Sequence, residues 1–190
     1  MLDLVEREGV LQTLRERLNA SAVRGHVVLV AGEAGIGKSS VLRALAAQHT
    51  AASGTVWWGA CDALETPHPL APLLDIAREQ APRFAARLDG PRPALFDAVL
   101  DELRHAATPL LLVVEDAHWA DDATLDLLKY LGRRIEGTHA LLAASYRDDE
   151  VGATHPLRRV LGELPPAARS YLPVPRLSAC LLYTSDAADE

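Results

Sequence analysis

Lysine, cysteine and aromatic residues are scarce in this chain, and long apolar runs are missing. Lysine occurs only at Lys38 and Lys129, the two cysteines are Cys61 and Cys180, and aromatic residues make up 5% of the 190 positions. Two isolated cysteines have neither metal-ligand spacing nor disulfide density, which excludes a zinc module and a disulfide scaffold and suits a reducing compartment. No apolar run approaches the roughly 18 residues that cross a bilayer. The first residues carry Asp3, Glu6 and Arg7 where a secretion signal needs an apolar stretch. A cytoplasmic protein without membrane contact is the expectation. Positive charge is in deficit too: the formal net charge is -7, the wrong sign for a domain that coats a phosphate backbone. Direct contact with nucleic acid is therefore not expected of this chain.

What is present is an ordinary soluble composition, with 49% hydrophobic and 24% charged residues, in a length that suits one domain. Short β-branched or apolar runs alternate with helical periodicity. Val10, Leu11, Leu14 and Leu18 mark an amphipathic helix over residues 6–20. A buried strand is expected at 26–31, a helix at 37–48, and a second strand at 55–61. A helix near 70–80 lies within a proline-rich stretch, and another follows at 94–106. Residues 110–114 are apolar without alternation, as expected of a parallel strand covered on both faces. A helix at 122–135, a strand at 140–145, a helix at 156–164 and a last strand at 170–174 complete the series. Strands alternating with helices predict an α/β fold with a doubly wound parallel sheet of about five strands.

The chemistry concentrates in three places. The segment Gly32-Glu33-Ala34-Gly35-Ile36-Gly37-Lys38-Ser39, followed by Ser40, fits the phosphate-binding loop pattern. Its glycines let successive N–H groups face a phosphate, and the following helix adds its positive end. Lys38 reaches the β- and γ-phosphates, while Ser39 offers a hydroxyl to Mg²⁺. ATP or ADP with Mg²⁺ is thus the expected ligand set.

The second place is the acidic pair Glu115-Asp116, at the end of the apolar run Leu110 to Val114. One acid can complete a Mg²⁺ shell through water, and the other can orient attacking water. The usual order puts aspartate first, so the division of labour between Glu115 and Asp116 stays open. The alternative is an acidic pair that only caps the turn. His118 beside it is either a base or ligand, or a packed residue ahead of a helix capped by Asp121 or Asp122. The third place is Arg147, just past the fourth strand, where ligands of doubly wound sheets bind. It reports the γ-phosphate or pairs with Asp148 or Asp149. Trp57, Trp58 and Cys61 are expected to be packing residues of the second strand.

Four strings occur in a familiar order: Leu4-Val5-Glu6-Arg7-Glu8, the phosphate loop, Val113-Val114-Glu115-Asp116-Ala117-His118-Trp119-Ala120-Asp121, and Ala143-Ala144-Ser145-Tyr146-Arg147-Asp148-Asp149-Glu150. Together they strongly resemble the STAND-type, Orc1-like AAA ATPase module of large LuxR-type, MalT-like transcriptional regulators. His155 to Arg159 and Leu161 to Pro165 fit the same module, and the resemblance spans about residues 2–179. It implies a P-loop NTPase acting as an ATP-driven switch with slow hydrolysis, and ATP-dependent self-assembly of the full-length protein. By the same resemblance, Lys38 and Ser39 bind phosphate and Mg²⁺, Glu115 and Asp116 form the acidic pair, and Arg147 is the sensor. Where the family's N-terminal segment commonly reads Gly-Arg, this chain has Glu6-Arg7. Modules of this kind also occur in multidomain nucleotide cyclases and protein kinases, which is the alternative, and a stand-alone small-molecule kinase is a remoter one. The expected organisation is an ATPase domain over 1–179, incomplete at its C-terminal side, with the DNA-binding domain elsewhere. Residues 180–190 resemble a translated sequencing-library adapter and are expected to be non-native.

Overall fold

The computed structural model describes residues 6–64, 66, 68–88 and 90–176, without the side chains of 83–85. The first five residues and the 180–190 segment lie outside the described residues. Strands β1 (His26–Ala31), β2 (Thr55–Ala60), β3 (Leu110–Glu115), β4 (Ala140–Tyr146) and β5 (Arg169–Pro173) form one sheet in the order β2-β3-β4-β1-β5. Every pairing is parallel. Helices α1 (Glu8–Ala20), α2 (Lys38–Ala51), α3 (Ala71–Glu79), α4 (Arg92–His105), α5 (Asp122–Gly132) and α6 (Pro156–Glu163) cover both faces.

The period-two alternation of the strands divides the core in two. Val28, Val30, Leu111, Val113, Leu141 and Ala143 pack with α1 and α2. Val27, Leu29, Leu110, Leu112, Val114, Leu142 and Ala144 pack with α3 to α6. Because β1, β3 and β4 are central and covered on both sides, β3 and β4 are buried throughout and β1 at all positions but His26, as their apolar runs predict.

The edge strand β2 is closed by α3 in place of a sixth strand. Gln80 donates from Nε2 to the Trp58 carbonyl at 3.1 Å and accepts from the Trp58 N–H through Oε1. Asp75 accepts from the Ala60 N–H at 3.3 Å. Such cover blunts an edge that would otherwise template association. Gly59 is what lets α3 approach: a Cβ there would lie 2.1 Å from the Pro72 carbonyl oxygen.

The expected elements are present, with ends displaced by a few residues. The helix expected over 122–135 stops at Gly132, and Ile135–Gly137 forms a separate 3-10 turn. There the Arg134 N–H bonds the Leu131 carbonyl at 2.9 Å, the tighter 3-10 spacing, and Leu164 packs where a Gly132 Cβ would go, at 2.5 Å. Asp121 caps α5, accepting from the N–H groups of Ala123 and Thr124 at 2.8 and 3.1 Å. It also accepts from the Leu70 N–H at 3.1 Å, which ties the start of α3 to the site described next.

Candidate functional site

Parallel strands put the C-terminal ends of β1, β3 and β4 on one rim of the sheet, where loops converge on a ligand. The order matters: β4 lies between β1 and β3, so the phosphate loop after β1 and the acids after β3 flank a gap capped by the end of β4.

The loop from Gly32 to Gly37 turns through positive φ at Gly35 (70°) and Gly37 (98°), conformations that L side chains rarely adopt. Gly37 precedes the first residue of α2, so the helix's unpaired N–H groups and positive end open into the loop. Lys38 is buried, and its ammonium donates to the Gly32 and Glu33 carbonyls at 2.7 and 2.8 Å. Burial lowers its pKa, with Arg147 adding to the effect and Asp116, Asp148 and Asp149 opposing it. The ammonium is therefore parked on its own loop, within the field of the groups after β3 and β4. Ser39 and Ser40 follow on the first turn of α2, both half-buried. Glu33 turns outward and pairs with Arg176.

Arg7, in the N-terminal string that carries the resemblance, contacts the phosphate loop, a partner the sequence did not indicate. It is buried, and its guanidinium donates to the Ile36 carbonyl at 3.0 Å. A Cβ on Gly37 would sit 3.7 Å from Arg7 Nε. The start of α1 thus holds the phosphate loop at Ile36; its sequence signal was the Glu6-Arg7 segment of the N-terminal string.

Alternation along β3 directs Glu115 to the face of α2 and sends Asp116 into the turn. The buried Glu115 accepts from the Trp58 indole N–H through Oε2 at 3.0 Å, and Arg43 NH2 approaches the same oxygen at 3.9 Å. Its other oxygen, Oε1, is buried without a hydrogen-bond partner among the described residues. A buried carboxylate oxygen left unpaired is costly, so this donor set fits a hydrated divalent cation completing it. Asp116 adopts left-handed backbone angles (φ 52°, ψ 44°), an unusual conformation for a non-glycine residue and one that gathers at functional sites. The Asp116 N–H donates to Ser145 Oγ at 3.1 Å. Ser145 is buried at the end of β4, and no local sequence signal singled it out.

Arg147 emerges after β4 with its guanidinium 4.9 Å from the centre of the Trp119 ring. Its partner is Glu150 rather than Asp148 or Asp149, because the turn after β4 brings residues three apart together. Glu150 also lies 3.5 Å from His118 Nε2. The His118 ring packs tilted against Trp119, with ring centres 4.5 Å apart, and neither ring nitrogen has a hydrogen-bond partner among the described residues. Burial lowers its pKa, against the pull of Asp116 and Glu150. Cys61 is a buried free thiol pushed up to about 12 by burial, which makes it a small apolar residue and not a nucleophile.

A parallel sheet in this order, flanked by helices and with a phosphate-loop sequence after β1, is the P-loop, AAA ATPase-like fold. The chain belongs to the AAA ATPase domain family, which it matches over residues 3–143. Members of that family bind nucleotide, usually with Mg²⁺. No curated protein shows significant sequence similarity to the chain. Among solved structures it is similar to Cdc6p from Pyrobaculum aerophilum, with TM-score 0.56 and 20% identity over 90% of this chain and 46% of that one. The Aeropyrum pernix ORC2 protein, solved as ADPNP-ADP complexes, gives TM-score 0.63 and 18% identity over 97% and 51%. A signal transduction ATPase with numerous domains, carrying a tetratricopeptide repeat sensor, from Pyrococcus horikoshii gives 0.60 and 15% over 100% and 26%. At such identities the likeness is one of fold. The chain spans about half or less of each of these proteins. Among the described residues, no helix is long and apolar enough to cross a membrane.

Proposed function

We propose that this chain binds ATP and ADP with Mg²⁺ and hydrolyses ATP slowly, as the regulatory switch module of a larger LuxR-type transcriptional regulator. The observation that carries the nucleotide reading is the parked, buried Lys38 ammonium on its own loop, beside acids of which Glu115 holds an unsatisfied buried oxygen. The LuxR context rests on the motif resemblance alone.

In this reading the N–H groups from Glu33 to Ser40 surround the β-phosphate, and Lys38 exchanges its two carbonyl partners for phosphate oxygens. Ser39 and Glu115 would hold Mg²⁺, the latter through water, and the ion would supply charge neutralisation to the phosphates. Asp116 orients the water that attacks the γ-phosphorus as the bond to the bridging oxygen breaks. Arg147 leaves Glu150 to meet the γ-phosphate, which only ATP carries. Duplex DNA is contacted elsewhere in the full protein, in keeping with the acidic charge here.

Three variants test the assignment side by side, by labelled nucleotide binding and single-turnover phosphate release. Lys38→Ala should lose most affinity. Glu115→Gln should lose affinity only when Mg²⁺ is present. Asp116→Asn should retain ATP while its hydrolysis falls about 100-fold or more, a loss confined to the transition state. Hydrolysis by Asp116→Asn at the parent rate would remove Asp116 from the mechanism.

A further inference from the structure

We propose that Trp58 is a positioning residue for Glu115: its indole N–H holds one carboxylate oxygen so that the other faces the Mg²⁺ position. This rests on the nucleotide-binding reading above and adds to it a residue on the edge strand.

Glutamate carries one more rotatable bond than the aspartate usual at this place. It reaches further, and it must be stopped in one rotamer to offer an oxygen reproducibly. The surroundings supply that stop. Alternation along β2 sends Trp57 into the core under α3 to α6 and Trp58 to the α2 face. The register pairs Ala60 with Glu115, so Trp58 lies two residues back on the same face, within diagonal reach of a long side chain. Its Nε1–H meets Glu115 Oε2 at 3.0 Å.

The tryptophan is itself held. Gln80 bonds both backbone groups of Trp58, and the Arg43 guanidinium lies 5.8 Å from the centre of its ring. Arg43 also approaches Oε2, but its side chain is 66% exposed, so solvent screens that pairing. Trp58 is therefore the short, partly buried bond on Oε2, while Oε1 has no hydrogen-bond partner among the described residues. An indole serving only as packing on an edge strand would direct its N–H to water or to a carbonyl. Here it is spent on the acid of the site.

Two readouts test this on the full chain. In ¹⁵N-labelled protein without nucleotide, the Trp58 indole resonance, identified by its absence in Trp58→Phe, should move in Glu115→Gln. In ADP binding titrated with Mg²⁺, Trp58→Phe should need about tenfold more Mg²⁺ for half-effect. Its ADP affinity in excess chelator should match the parent, a split that general loosening of the fold would not produce. Trp58→His, which keeps a ring N–H, should recover part of the loss. An unmoved indole resonance, an unchanged Mg²⁺ requirement, or an equal loss of chelator-state affinity overturns the inference. If the parent chain itself binds no nucleotide, the functional reading fails as well. If the parent and Glu115→Gln behave as expected and Trp58→Phe matches the parent, only the role of Trp58 falls.

Discussion

At the scale of single residues, the site shows how far chemistry can be read from neighbours in sequence. Lys38 and Ser39 were legible because the loop pattern fixes their relation to a helix start. Arg147 was legible as a strand-end arginine, but its partner was not, since two nearer acids competed in sequence and the turn selects Glu150. Ser145 was illegible as a site residue, and Arg7, though part of the N-terminal string, gave no sign of its partner: they contact an N–H and a carbonyl, respectively, each 29 positions away. The ion pair with Glu150 also means that Arg147 must change partner to touch a phosphate. Arg147→Ala should accordingly spare ADP binding and reduce the preference for ATP about tenfold, the scale of one charge-assisted hydrogen bond. Competition binding of the two nucleotides checks it, and equal losses for both would end the sensor role.

At the scale of elements, the central strands were plain because strands buried on both faces need uninterrupted apolar runs, and β1, β3 and β4 have them. Helix ends were less plain. The stop of α5 at Gly132 coincides with close packing on Leu164, just past α6, a contact 32 positions along the chain, and periodicity within the helix carries no trace of it. The clasp of α3 on β2 was likewise invisible, because a glutamine at a helix end, here Gln80, reads as a solvated residue until a strand edge is placed beside it. That clasp depends on Gly59, whose missing Cβ admits the Pro72 backbone. Backbone cannot yield as a flexible side chain can, so Gly59→Ala must part α3 from the sheet edge. We expect a loss of ~3 kcal/mol, the upper range for overpacking, seen as a lower urea midpoint with little change in slope. A midpoint within experimental error of the parent would show that the edge can open at little cost.

At the scale of the whole molecule, sheet order does what no motif can: it puts β4 between the phosphate loop and the acids, so that Ser145 and Arg147 cap the gap between them. The same burial that builds this rim also sets a pH dependence. His118, under Trp119, and His26, at the foot of β1, both have their pKa lowered from 6.5, chiefly by desolvation. Asp116 and Glu150 face His118 and favour its charged form, while Arg147 and Lys38 oppose it. His26 faces Arg17 and Arg24, which disfavour its charge, and Glu136, which favours it. Each ring thus binds its proton less readily when folded than when unfolded. Their stabilisation is complete above about pH 6.5 and is lost as pH falls through the lowered folded values. Melting temperature should therefore fall between pH 7.5 and 5.5, a window above the ordinary range of the carboxylates. His118→Phe should flatten that fall. It should cost little at pH 7.5, because the ring nitrogens it removes have no hydrogen-bond partners among the described residues. Adding His26→Gln should flatten the profile further. A double variant that keeps the parent's full slope would mean that the proton uptake destabilising this fold in acid occurs at other groups.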